Sequence, residues 1–256
     1  MNYELDKELP QEWITLFQAW LLFLPNFLKD HYDERIHPQL LISKKILRNA
    51  KYLDHFPQHV LTTANQAKIL GQCITPAACL HVYPRLENKK IDHFSALITA
   101  HCARFENGKL NPPYRLQDFH MTELVALGSE KIVNEKKRNI QTLLENTFMS
   151  FGFKGNFENA TDAFFLGQED GAKVMQQIKK LKQEYVVRDG KLSVALASIN
   201  SHEEFFSKHF NIKTKGAALH SFCSAFGVER LASYSLKIWG SKDNWPPTFK
   251  KYAKIS

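Results

Sequence analysis

Apolar residues recur at helical spacing through the opening of the chain, so residues 11–50 read as helical, with Trp13 to Leu28 the most apolar stretch. That stretch contains Gln18, Pro25 and Asn26 and is too short to span a bilayer, so it predicts a buried or dimer-face helix. The pattern then changes. Ile91 to Arg104 (IDHFSALITAHCAR) is largely apolar with β-branched residues at its centre, as in a strand. Leu110 to Arg115 (LNPPYR) is a turn-rich loop, and Phe119 to Leu127 (FHMTELVAL) alternates as a returning strand. Ser129 to Met149 goes back to helical spacing, with Glu135 to Arg138 on its exposed side.

In the second half, Asp170 to Gln183 reads as a helix, followed by a hairpin of EYVV and KLSVALASI about Gly190. Ala217 to Ala225 is an apolar, strand-like run, and Val228 to Trp239 has helix periodicity. There is no internal repeat, low-complexity tract or linker rich in Pro, Gly and Ser. The expected fold is α+β, a mostly antiparallel sheet flanked by helices. No glycine-rich phosphate loop is present, so any nucleotide would be held by side chains.

Composition narrows this picture only a little. A chain of 256 residues with 44% hydrophobic and 23% charged residues can bury one large core, and is not disordered. Its first residues include Glu4, Asp6, Glu8 and Glu12, unlike a secretory signal, so a cytoplasmic protein is expected. The net charge of +8 favours acidic partners: nucleic acid, an acidic protein or phosphorylated ligands. The runs Lys136-Lys137-Arg138 and Lys179-Lys180-Leu181-Lys182 read as solvated helix faces. Four cysteines without a CxxC pair make neither a disulfide framework nor a local zinc knuckle, which leaves open a metal site built from distant segments.

Two segments carry chemistry. Arg104-Phe105-Glu106, with Arg115 and Phe119 on the returning strand, offers guanidinium forks for phosphates, an aromatic face for a base and a carboxylate for an exocyclic amine. An exposed hairpin with ordinary charges fits the same residues. FGVERL (Phe226 to Leu231) places Arg230 at a strand-to-helix junction beside a glycine that permits close backbone approach.

In this order the two segments resemble the class II aminoacyl-tRNA synthetase catalytic domain. ARFEN with YRLQDF is similar to its second motif and FGVERL to its third. YLDHFPQ, near Pro57, is similar to a degenerate first motif, which in the class lies at the dimer interface. TPAACLHVYP, DFHMTELVALG, TDAFFLG, VALASINSHEEFF and HSFCSAFGVERL narrow the resemblance to the amino acid:[carrier protein] ligases. These are homologues of the atypical zinc-containing seryl-tRNA synthetases of methanogens. The resemblance runs from about Pro38 to Pro247, and the chain divides into an N-terminal helical segment, 1–37, packing on the core or a dimer interface, and a catalytic domain, 38–256.

What the resemblance implies is ATP-dependent activation of a small amino acid (glycine, alanine or serine) as its adenylate. The aminoacyl group then passes to the phosphopantetheine thiol of an acidic carrier protein. It implies zinc on Cys79, Glu123 and Cys223, with an open position for the substrate amine. Cys73 is the nearest rival to Cys79, and without the resemblance Cys79 and Cys223 read as small buried hydrophobes. It implies ATP binding by Arg104, Glu106, Arg115, Phe119 and Arg230, with Arg104 and Arg230 catalytic through phosphate charge, and magnesium with ligands unplaced. Asn200 and His202 match the substrate-binding pattern, a satisfied core histidine being the other reading of His202. A homodimer is expected. The absence of a long RNA-binding domain before the first motif makes tRNA a disfavoured acceptor. The alternatives are a synthetase paralogue that loads another acceptor, and a non-catalytic sensor of amino acid or nucleotide.

Overall fold

In the computed structural model, which describes residues 9–62, 71–106, 110–160, 181–214 and 219–255, the first apolar stripe forms helix α1 (Gln11–Phe27). Its buried residues, Trp13, Leu16, Trp20, Phe23 and Leu24, recur every three or four positions and make one face. The helical pattern does not run on to residue 50. Strands β1 (Glu34–Ile36) and β2 (Leu41–Ser43) interrupt it, ahead of the short helices α2 (Lys44–Asn49) and α3 (Tyr52–His55). Pro38 supplies the reason: it has no N–H to donate and disfavours helical geometry in the residue before it.

Strand β3 (Gln72–Ile74) pairs with β2 in a small two-stranded sheet. The predicted hairpin forms from β4 (Phe94–Ala103) and β5 (Asp118–Gly128), paired from Phe94 with Leu127 to Ala103 with Asp118. Ser129 caps the following helix α4 (Glu130–Ser150) by accepting from the Ile132 N–H. Then come β6 (Gly155–Asn159), β7 (Lys182–Asp189), β8 (Leu192–Glu203), helix α5 (Phe205–His209) and β9 (His220–Gly227). Helices α6 (Val228–Trp239) and α7 (Pro247–Ala253) close the chain. Strand β7 begins at Lys182, so the expected helix does not reach Gln183. The rest of that helix, the TDAFFLG segment, Lys179, Lys180, Ala217 and residues 107–109 lie outside the described residues.

The main sheet has seven strands in the order β1-β4-β5-β9-β8-β7-β6. Only β1 runs parallel to its neighbour β4; every other pairing is antiparallel. Because strand side chains alternate, the two faces bury different sets. Leu124, Ala126, Phe222 and Phe226 face a core shared with α1, α4, α6 and α7. Val125, Leu127 and Cys223 face the opposite side, against Ile42, Cys79, Tyr83 and Phe206. Helix α1 is locked to α6 by two indole hydrogen bonds, Trp13 Nε1 to Ser233 Oγ at 2.8 Å and Trp20 Nε1 to Ser235 Oγ at 2.9 Å. An aromatic cluster of Trp20, Phe23, Phe151, Trp239 and Phe249 fills the space between them. Each such side chain contributes roughly 1.5–3 kcal/mol by leaving water. Among the described residues no helix is long and apolar enough to cross a membrane.

Candidate active site

The second face of the sheet holds a cavity of about 490 Å³. Period-two alternation on β5 points Phe119, Met121 and Glu123 into it, and Ser198 and Asn200 enter from β8. A short 3-10 turn, Ala78–His81, brings Cys79 over the sheet from outside.

At the inner end Cys79, Glu123 and Cys223 come together, all buried, with their ligand atoms within 4.8 Å of one another. The Cys79 N–H donates to Glu123 Oε1 at 3.0 Å, which fixes the carboxylate, and Asn200 Nδ2 donates to Cys223 Sγ at 3.3 Å. In strand register Cys223 faces both Val125 and Asn200, so the three segments meet through the sheet and not through sequence. The hydrogen bond with Cys223, burial and the Glu123 charge push the Cys79 thiol well above the usual range. Cys223 is raised as well: the hydrogen bond from Cys79 acts downwards, but burial and Glu123 outweigh it.

Glu123 is only 2% exposed, and among the described residues no lysine, arginine or histidine pairs with it. A buried carboxylate is ordinarily paired with a cation or bound to a metal. Two sulfurs and a carboxylate make a donor set that fits zinc with a fourth position open. Asn200 and the Cys79 N–H are the outer hydrogen bonds that such ligands require.

The outer part of the cavity is cationic. Arg104, Arg115 and Arg230 all line it, together with Phe119 and Glu106. Arg104 donates through Nε to Pro76 O at 2.6 Å, and its guanidinium lies 5.3 Å from the centre of the Phe119 ring. Arg115 Nε donates to Glu106 Oε2 at 2.7 Å. Arg230 donates through Nε to Tyr114 O at 2.6 Å and through Nη1 to Ala195 O at 3.1 Å, so the third motif is stitched to the second. Burial lowers the Arg230 pKa; Glu184 offsets this, and Arg104 and Arg115 lower it further. Three guanidiniums gathered round one pocket, partly balanced by Glu106 and Glu184, are chemically suited to an anion such as a phosphate.

Of the residues singled out in the sequence, Cys79, Arg104, Glu106, Arg115, Phe119, Glu123, Asn200 and Arg230 line this one cavity, with Cys223 beneath it. His202 does not reach it. It is buried behind Tyr83, whose hydroxyl lies 3.0 Å from His202 Nδ1, with Ser221 Oγ at 3.3 Å, and it lines a separate cavity. Burial drives its pKa down to about 3, as for a neutral buried imidazole. The YLDHFPQ segment contributes Tyr52 and Phe56 to the cavity wall, and His59 follows just after it. Sequence reasoning missed these three, and also Lys182, Glu184 and Glu229. For Lys182 and Glu184 the available signal was alternation in KQEYVV, hidden because the first two residues were counted into a helix.

The fold is that of class II aminoacyl-tRNA synthetase catalytic domains. The chain is similar to a structure of M. kandleri SerRS in complex with A. aeolicus tRNASec, with a TM-score of 0.81 at 18% identity, over 96% of this chain and 57% of that one. The Pyrococcus horikoshii seryl-tRNA synthetase complexed with ATP gives 0.74 at 13% identity, over 97% and 57%. At these identities the likeness concerns the fold.

Sequence similarity is more particular. The chain is homologous to amino acid–[acyl-carrier-protein] ligase 1 of Bradyrhizobium diazoefficiens, 29% identical over 180 residues, which is 68% of this chain and 55% of the relative. It is also homologous to the type-2 serine–tRNA ligase of Methanocaldococcus jannaschii, 25% identical over 196 residues, or 72% and 38%. The chain thus spans about half the length of the carrier-protein ligases it matches. No family model matches it.

Proposed function

We propose that this protein uses ATP to activate a small amino acid (glycine, alanine or serine) as its adenylate and passes the aminoacyl group to the phosphopantetheine thiol of a carrier protein. The observation that carries this reading is the single cavity with a buried Cys79–Glu123–Cys223 triad at one end and three arginines beside Phe119 at the other. Similarity to the Bradyrhizobium ligases supports the choice of acceptor.

Cys79, Glu123 and Cys223 would hold zinc, which when bound would supply a site for the neutral amine of the amino acid. Phe119 gives a face to the adenine, and Glu106, oriented by Arg115, accepts from its exocyclic amine. With its Nε committed to Pro76 O, Arg104 keeps its other nitrogens for the α-phosphate. Arg230 holds the far phosphate, and magnesium accompanies the triphosphate. A carboxylate oxygen of the amino acid attacks the α-phosphorus in line, and the bond to the bridging oxygen breaks to release pyrophosphate. In the second half-reaction the acceptor thiol attacks the acyl carbon, the acyl–phosphate bond breaks, AMP leaves and the thiol proton is lost. The side chains position and neutralise; none forms a covalent bond.

Amino-acid-dependent exchange of pyrophosphate into ATP, run across all amino acids, tests activation. Arg104→Ala and Arg230→Ala are each expected to lower the rate about a hundredfold or more. Exchange that no amino acid stimulates would leave the sensor reading standing instead. A second reading, transfer to RNA, is favoured by the type-2 serine–tRNA ligases at 25–27% identity. Radiolabel transfer to holo-carrier protein against transfer to tRNA separates the two.

A further inference from the structure

Glu123 and Cys223 sit on neighbouring strands, and the β5–β9 register fixes what surrounds them. Glu123 is opposite Ala225, and Val125 is opposite Cys223. On the cavity side of the sheet these four residues form a square, with the two donor side chains on one diagonal. Cys79 closes over it from outside the sheet. Of the two remaining corners, Val125 is buried in the core, whereas Ala225 lines the cavity and is partly open to it. A group that joins the three donors from the cavity therefore arrives over Ala225.

Further along β9 stands Gly227, where an added Cβ would lie 3.4 Å from Arg230 Cδ. Ala225 thus occupies the floor between the triad and an arginine of the phosphate end. Its partner on the other side is Ser198 on β8, which also lines the cavity and is partly open. From outside the sheet, Cys79 and the nearby Ala77 line the cavity too, but they are only 1% and 4% exposed. Free space next to the triad is accordingly on the floor, at Ala225 and Ser198.

We propose that Ala225 is a specificity-determining residue: the side chain of the bound amino acid lies against its methyl group and Ser198, and that methyl sets the largest side chain accepted. The inference rests on the amino-acid-activation reading above and deepens it. An amine received at the triad is bonded directly to the α-carbon, which therefore stands over the Ala225 corner. The carboxylate runs on towards Gly227 and the arginines, and the side chain takes the floor. One methyl group more or less in such a pocket changes affinity about tenfold or more.

The test is calorimetric binding of glycine, alanine and 2-aminobutyrate to the full zinc-loaded chain with AMP present. Ala225→Gly should raise the affinity for alanine and 2-aminobutyrate relative to glycine about tenfold or more. Ala225→Val should lower the alanine-to-glycine ratio by a similar factor, and Ala225→Ser carries this arm if the valine variant does not fold. Zinc content by metal analysis and the ATP KM in exchange kinetics should match the wild type in both variants. Damage to the triad or to the phosphate end would move one or the other. An alanine-to-glycine ratio unchanged in either variant overturns this inference alone, as does a change that comes with lost zinc. A wild-type protein that binds no amino acid overturns it together with the activation reading.

Discussion

Glu123 places a buried carboxylate beside two thiols with no ion-pair partner among the described residues, and a cation held by the three donors would offset the cost of its burial. Cys79→Ser is therefore expected to lower bound zinc from stoichiometric to substoichiometric after dialysis, by metal analysis, whereas Cys73→Ser should leave it unchanged. Stripping the metal should weaken amino-acid binding and spare ATP binding, since the arginines are held by backbone oxygens and Glu106. His202 gives a second prediction. Its folded pKa, about 3, lies below the ordinary 6.5, so the unfolded chain takes the proton first. The stabilisation is complete above pH 6.5 and is lost as pH falls towards 3, at about 1.4 kcal/mol per unit. His202→Gln should flatten the fall in melting temperature between pH 6.5 and 4; an identical slope would remove the burial argument. The identities of the triad were legible only through family resemblance, because three donors 44 and 100 residues apart share no local pattern.

Helix α6 is where an element decides geometry. Glu229, next to Arg230, accepts from the His120 N–H through both oxygens, at 2.8 and 2.9 Å, and meets His120 Nδ1 at 2.8 Å. This anchors the start of α6 to β5 and so sets the direction from which Arg230 reaches the cavity. Glu229→Ala is expected to raise the ATP KM about tenfold with the amino-acid KM little changed, as measured by exchange kinetics. On the other side of α6, Trp20→Ala should cost roughly 3–5 kcal/mol in a denaturant titration, since it removes an aromatic side chain from the core and leaves Ser235 Oγ without its donor. Long elements with a clear period, α1, β4, β5, α4 and α6, were legible in the sequence. The short strands β1 and β2 were not, because three residues cannot establish a period against a helical background.

Across the whole molecule the net charge is +8, which would suit the acidic carrier protein proposed as acceptor. Aminoacyl transfer to such a carrier should slow several-fold, roughly, as salt rises from 0.05 to 0.5 M, while adenylate formation in the cavity changes little. Single-turnover assays of the two half-reactions at each salt concentration measure this, and equal salt sensitivity would argue against an electrostatic docking step. The homodimer is likewise a proposal, and a solution mass measurement decides it.

By itself the sequence determined the α+β class, the main hairpins and the order of the two arginine-bearing motifs, because strand and helix periods and local turns are written in neighbouring residues. Only the tertiary structure decided which side chains share a cavity. Sheet register set Cys223 beside Asn200 and Lys182 across from Asn200, and left His202 behind Tyr83. Those neighbours come from strand pairing between distant segments, and no run of adjacent residues encodes them.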